Sequence, residues 1–151
     1  MTVLKPEEIL SLIPQQKPFR FVDQITEVGP EAIQGHYTFQ KTESFYQGHF
    51  PGNPVTPGVI LLECMCQIGV VALGIYLLSL ETSPEEASRW TTFFTDAETE
   101  FSLPVPPDSK VIVQGKRQFW RRKKLRADIE LYLEDGRLAA RATASGIGVK
   151  V

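Results

Sequence analysis

The stretch "TPGVILLECMCQIGVVALGIYLLS", residues 56–79, decides how the rest of the chain must fold. It is apolar on nearly every side, so as a helix it has no solvent face and must be enclosed. Its length is about that of a membrane span, which needs roughly 20 residues. Against a span stand Glu63 and Gln67 inside the run, no Lys/Arg cluster at one end, and a long charged remainder rich in strand patterns. The reading is therefore the buried core helix of a globular protein. Thr56 is predicted to cap this helix, with Pro57 at its first position and Gly58 allowing close approach to the backbone. Its end is predicted at about Ser79, before "LETSPEEASRW" (80–90) turns polar and loop-like.

The segments around the helix read mostly as strands. "RFVDQITEV" (20–28) alternates and ends at Gly-Pro, and "AIQGHYTFQ" (32–40) places Ile33, Gly35, Tyr37 and Phe39 on one face. These two form a predicted hairpin. After the helix come "TTFFTDAETEF" (91–101), "KVIVQGKRQFW" (110–120), "LRADIELYLE" (125–134) and "RLAARATASGIGVKV" (137–151), separated by turn or breaker chemistry. A short helix, "PEEILSLI" (6–13), comes first. The fold class is α+β: one domain spanning 1–151, with an antiparallel sheet wrapped around one long central apolar helix. Such a sheet keeps an open edge, commonly hidden by a second copy, so a homodimer or a higher assembly of dimers is expected.

Composition narrows the function classes. With 16 Lys+Arg against 18 Asp+Glu the net charge is only -2, which argues against nucleic-acid binding. The N-terminal stretch lacks a secretory pattern, so the expected location is cytoplasmic. Cys64 and Cys66 lie two apart on a helix, point to different faces, and read as buried thiols rather than a metal pair.

Two side chains invite an acid–base reading. A carboxyl in apolar surroundings, such as Glu63, should be raised above its ordinary value of about 4.3 and can hold a proton to donate. His49 sits in the Gly/Pro loop "QGHFPGNPV" (47–55), and histidine can accept a proton near neutral pH. Loss of water from a β-hydroxy carbonyl compound needs such a base and acid, together with donors for the enolate-like oxygen. The helix N-terminus at Gly58 and Val59 can supply those donors. His36 shares a strand face with Gln34, Thr38 and Gln40 and reads as a solvated surface residue.

These residues carry a resemblance. "FYQGHFPGNPVTPGVILLECMCQIG" (45–69) resembles the signature of the bacterial 3-hydroxyacyl-acyl carrier protein dehydratases, the FabA/FabZ-type hotdog proteins. "IPQQKPFRFVDQI" (13–25) and "AETEFSLPVPPDSKV" (97–111) are similar to two further segments of that family. The resemblance implies His49 and Glu63 as catalytic residues, contributed to one site by opposite subunits. It also implies substrate contacts from Gly58, Val59, Gln67 and Phe50, an acyl chain delivered on the phosphopantetheine arm of acyl carrier protein, and neither metal nor organic cofactor. Gln15, Gln16, Thr56, Ser102 and Leu103 depart from the family's usual residues, at positions bearing on substrate and partner rather than on the His/Glu pair. Arg121, Arg122, Lys123 and Lys124 form a basic turn that suits either carrier docking or a solvated hairpin tip. Two alternatives stay open: a hotdog thioesterase, and a non-catalytic acyl-binding subunit of a heteromeric dehydratase.

Overall fold

The computed structural model describes residues 3–151. Six antiparallel strands form one sheet: β1 (Gln24–Val28), β2 (Ala32–Phe39), β3 (Trp90–Phe101), β4 (Ser109–Arg121), β5 (Lys124–Leu133) and β6 (Leu138–Lys150). Their spatial order is β1-β2-β4-β5-β6-β3. The connection from β2 to β3 contains the central helix, Gly58–Ser79, which lies against the inner face of the sheet. This is the α+β architecture that the helix composition demanded. By length and composition the helix could cross a membrane, but most of it is buried inside the fold, and that burial accounts for its apolarity.

Alternation sets the faces. Along β2, Ile33, Gly35, Tyr37 and Phe39 are all buried while Gln34, His36 and Thr38 lie on the other side. His36 Nε2 meets Gln24 Oε1 at 3.1 Å on that outer face, so the imidazole is half-buried and bonded rather than freely solvated. Helix and sheet approach closely at one point. A Cβ on Gly115 of β4 would lie 2.9 Å from Gly69 Cα, and one on Gly69 would lie 2.6 Å from Ile129 Cδ1, so side chains are excluded there.

Four local expectations are corrected. First, β1 begins at Gln24, not Arg20. Among residues 20–23 only Asp23 bonds across to β2 through its backbone, its N–H donating to His36 O at 2.9 Å, so the ladder does not extend back to Arg20. Second, Pro57 rather than Thr56 is the N-cap of the central helix, Gly58 is its first residue, and no side chain caps it. Third, the segment after the central helix contains a short helix, Pro84–Ala87, where Ser83 Oγ accepts the Glu86 N–H at 3.2 Å. Fourth, the N-terminal helix is Pro6–Leu12, one residue shorter than expected.

The central helix is not uniformly α. Gly58–Cys66 and Leu73–Ser79 are α-helical, while Gln67–Ala72 between them is wound as a π-helix. Such segments are rare and frequently accompany functional sites. This one begins at the buried glutamine.

Candidate active site

The loop that carries His49 is built from backbone bonds. A 3-10 turn, Ser44–Gln47, leads into it, and the His49 N–H donates to Phe45 O at 3.1 Å. Phe50 and Asn53 bond each other across a tight turn in which Gly52 takes a φ of +74°, a value that favours glycine. Val55 N–H closes the loop by donating to His49 O at 2.9 Å. Thr56 then anchors the loop to the core: its N–H donates to Val105 O, and its buried hydroxyl meets the Tyr46 hydroxyl at 2.6 Å. Thr56 thus serves the loop rather than the helix cap.

One hydrogen bond assigns the imidazole tautomer. His49 Nδ1 lies 2.9 Å from Val55 O. A carbonyl can only accept, so Nδ1 carries the proton and Nε2 is left with a basic lone pair. The ring stacks on Phe50 at 4.2 Å between centroids, and Phe50 itself is exposed.

Glu63 is held from the helix side. Its Oε2 accepts from Gln67 Nε2 at 2.8 Å, one helical turn away. Burial raises the Glu63 carboxyl above its ordinary range, opposed only in part by that amide bond. Gln67 is fully buried, and both ends of its amide are engaged: Oε1 accepts the Phe21 N–H at 2.7 Å, while Nε2 also donates to Phe19 O at 2.8 Å. This set of partners fixes which end of the amide is oxygen. Cys64 and Cys66 are both buried, and burial together with the Glu63 charge pushes the Cys66 thiol up to about 12. Neither is poised as a nucleophile.

The helix N-terminus completes the arrangement. The first backbone bonds into the helix come from Ile60 and Leu61, both donating to Pro57 O. Among the described residues no protein acceptor takes the Gly58 or Val59 N–H. Val59 is 73% exposed, and the ring of Phe101, at the end of β3, covers Gly58 so closely that a Cβ there would lie 3.0 Å from it. Sequence reasoning did not single out Phe101, Tyr46 or the Phe19–Phe21 backbone. Their partners lie 10 to 48 residues away, with no periodic signal to link them.

A FabA-like domain matches residues 13–142, which is most of the chain. The chain belongs to the FabA-like family. Among the relatives that the chain resembles, the 3-hydroxyacyl-[acyl-carrier-protein] dehydratase FabZ of Nitratidesulfovibrio vulgaris is 35% identical over 147 residues, covering 93% of this chain and 88% of that protein. The enzyme of the same name from Chloroflexus aggregans is 36% identical over 121 residues, covering 80% and 79%. In solved structures the fold resembles the dehydratase heterocomplex ApeI:P from Xenorhabdus doucetiae, with a TM-score of 0.77 at 13% identity over 97% of this chain and 93% of that one. A thioesterase from Haemophilus influenzae shares the fold less closely, with a TM-score of 0.60 at 16% identity, covering 84% and 78%. At such identities the structural likeness speaks for the hotdog fold alone.

Within this FabA-like chain the basic residues do form a hairpin tip. Arg122 and Lys123 connect β4 to β5 with φ of 52° and 62°, where Asn and Gly are the usual choices. The four cations are not equivalent. Lys123 Nζ pairs with Glu81 Oε2 at 2.9 Å, and the Arg121 guanidinium lies 4.5 Å from the Phe119 ring centroid, with Arg121 and Arg122 exposed.

Proposed function

We propose that this protein removes water from a 3-hydroxyacyl thioester carried on acyl carrier protein, giving the 2-enoyl thioester. The observation that carries the reading is that the chain holds two complementary groups, an imidazole whose Nδ1 is tied to a carbonyl and a carboxyl raised by burial. Bonded through Nδ1, His49 offers Nε2 as a base, while the half-buried Glu63 carboxyl is biased toward its protonated form. In the reaction Nε2 takes the α-proton, the electron pair moves to form the Cα–Cβ double bond, and Glu63 protonates the departing β-hydroxyl so that it leaves as water. Negative charge developing on the thioester oxygen is met by the Gly58 and Val59 N–H groups. Gln67 holds the Glu63 carboxyl, and Phe50 supplies apolar surface beside the imidazole. The sequence relatives named as dehydratases support this assignment over hydrolysis or a purely structural role.

A second copy of the chain is part of the proposal. β3 is an edge strand with unpaired backbone along one side, and it exposes Phe93 and Phe94 near one end and Phe101 at the other, features that favour pairing with a second strand. In this proposal His49 of one copy and Glu63 of the other act on the same substrate. Antiparallel pairing of two β3 strands brings the Trp90 end of one copy beside the Phe101 end of the other. The basic hairpin neighbours the Trp90 end, since Lys124 pairs with Ile147 of β6 and Gly148 donates to Lys123 O. The hairpin of one copy then stands near the helix N-terminus of the other, a fitting place to meet an acidic carrier. We read the chain, 1–151, as one domain.

The test is incubation with 3-hydroxyacyl thioesters on acyl carrier protein, followed by mass analysis. Loss of water without release of free thiol is expected. Thiol and free acid as the main products would turn the assignment to a thioesterase, and no turnover with any chain would turn it to a binding subunit.

A further inference from the structure

We propose that Arg20 is a positioning residue for this reaction, acting on Glu63 through the backbone on either side of it and through Gln67. The inference rests on the dehydratase reading for its consequence, and on geometry for its substance.

Residues 13–23, between the N-terminal helix and β1, form neither helix nor strand, and only the last of them, Asp23, bonds across to β2 through its backbone, so no ladder fixes the backbone around Arg20. Yet this segment supplies two of the three partners of Gln67, the Phe19 carbonyl and the Phe21 N–H. Those two groups belong to the peptide units that flank the Arg20 Cα, so rotation about Arg20 would turn both away from the amide. The Arg20 side chain opposes that rotation by reaching back along the chain. Its Nη2 donates to Ile13 O at 2.7 Å and its Nε to Gln15 O at 2.8 Å, closing loops of seven and five residues.

Both bonds are charge-assisted and come from one rigid planar fork, which suits two carbonyls better than a lysine would. No carboxylate forms an ion pair with Arg20 among the described residues, so its charge is committed to the backbone. Ile13, the farther anchor of the staple, is buried in the core. The path is thus continuous: core Ile13, Arg20 guanidinium, peptide units 19–21, Gln67 amide, Glu63 carboxyl. If the Arg20 end is loose, Gln67 loses its fixed partners, and the carboxyl loses the donor that aims it.

The experiment compares Arg20→Met, which keeps much of the stem and removes the donors, with Arg20→Lys, which keeps the charge but not the fork. Arg20→Met is expected to lower kcat about tenfold with KM changed less than about twofold, the sign of misplaced chemistry rather than lost binding. Arg20→Lys should recover part of that loss. In a Gln67→Met background, Arg20→Met should change kcat by less than about twofold, because the path is already cut. Amide exchange of Phe21 gives a readout that needs no substrate: it should accelerate in Arg20→Met while the thermal midpoint stays near that of wild type. Unchanged Phe21 protection, an undiminished kcat, or a full tenfold loss persisting in the Gln67→Met background would each overturn the proposal. Absence of dehydration by the wild type would instead sink the dehydratase reading, and the Phe21 measurement would still judge the staple. If Gln67→Met does not fold, the kcat/KM split and Phe21 exchange in the single variants decide.

Discussion

The two halves of the central helix look alike in composition and do different work. From Ile68 to Ser79 nearly every side chain is buried, and the half is a packing element, with its π-helical part against the sheet and Leu73–Ser79 against the two short helices. From Gly58 to Gln67 the helix is partly open: Val59 is exposed, Ile60, Leu62 and Glu63 are half-buried, and the first N–H groups have no acceptor among the described residues. The π-helical segment begins where one half passes into the other. An apolar run therefore identifies a core helix but does not say where along it chemistry sits. The two polar residues do, because each must be satisfied or used.

Substitutions should separate the halves by which quantity they move. Leu73 is fully buried, and Leu73→Ala is expected to cost about 2–5 kcal/mol of stability while leaving kcat per folded molecule unchanged. Chemical denaturation together with active-site-normalised turnover checks this. A matching loss of kcat in fully folded protein would mean that the packing half also shapes the site.

In the open half, and in the His49 loop that leads into it, the expected effect falls on rate. His49→Ala and Glu63→Gln are each expected to lower turnover about 100-fold or more, the scale of a positioned base or acid. Mixing the two inactive variants under conditions of subunit exchange should restore some activity, because a mixed dimer holds one intact His/Glu pair. If exchange is verified by mass and no activity returns, the shared-site arrangement is wrong.

Much of this was legible in the sequence, and the limits have physical causes. The order of elements, the enclosed helix ending at Ser79 and the inward face of β2 follow from periodicity, which is a local property. The His49 loop and Glu63 stood out because a histidine among Gly and Pro, and a carboxylate among apolar residues, are locally anomalous. Thr56 was misplaced because its real partner, Tyr46, lies ten residues back, whereas a capping reading looks only forward. Arg20 looked like the first residue of a strand, and its bonds to Ile13 and Gln15 depend on a loop path that no period encodes. The helix at Pro84–Ala87 was legible and missed: Ser83-Pro84-Glu85-Glu86 has the Ser-x-x-Glu spacing and Pro at the first position.

A smaller effect tests the electrostatics of the open half. Burial raises the Glu63 carboxyl, so the folded protein holds that proton more tightly than the unfolded chain does. The stability linked to this group is fully present below the unfolded value and is lost as pH rises through the folded one. Glu63→Gln never ionises, so relative to wild type it should gain stability as pH rises, with a thermal midpoint a few degrees higher at pH 8 than wild type and little difference at pH 4. A difference independent of pH would mean that the carboxyl titrates normally in the fold.

The smallest expected effect concerns the far end of the helix. Lys123 joins the hairpin to Glu81, just past Ser79, whereas the open N–H groups lie at Gly58, at the other end of a 22-residue helix that is on the order of 33 Å long at 1.5 Å per residue. Within one chain the basic tip is too remote to guide a carrier to that site; the proposed β3-paired dimer would bring it close. Arg121 and Arg122 are the exposed cations to reverse, because Lys123 is already committed to Glu81. Surface charges act mainly on encounter and are screened over about 10 Å at 0.1 M salt, so reversing both to Glu should raise KM for carrier-bound substrate only a few-fold, more at low salt. A short pantetheine thioester, which brings no acidic partner, should be turned over as by wild type. The dimer adds a sharper condition. Combining the reversed hairpin with Glu63→Gln in one subunit and His49→Ala in the other leaves one working site, whose His49 and Glu63 come from known chains. Moving the reversal from one chain to the other should then change KM in only one of the two arrangements. Equal KM in both, or an equal response from the pantetheine substrate, would reduce the hairpin to a charged tip that keeps the sheet soluble.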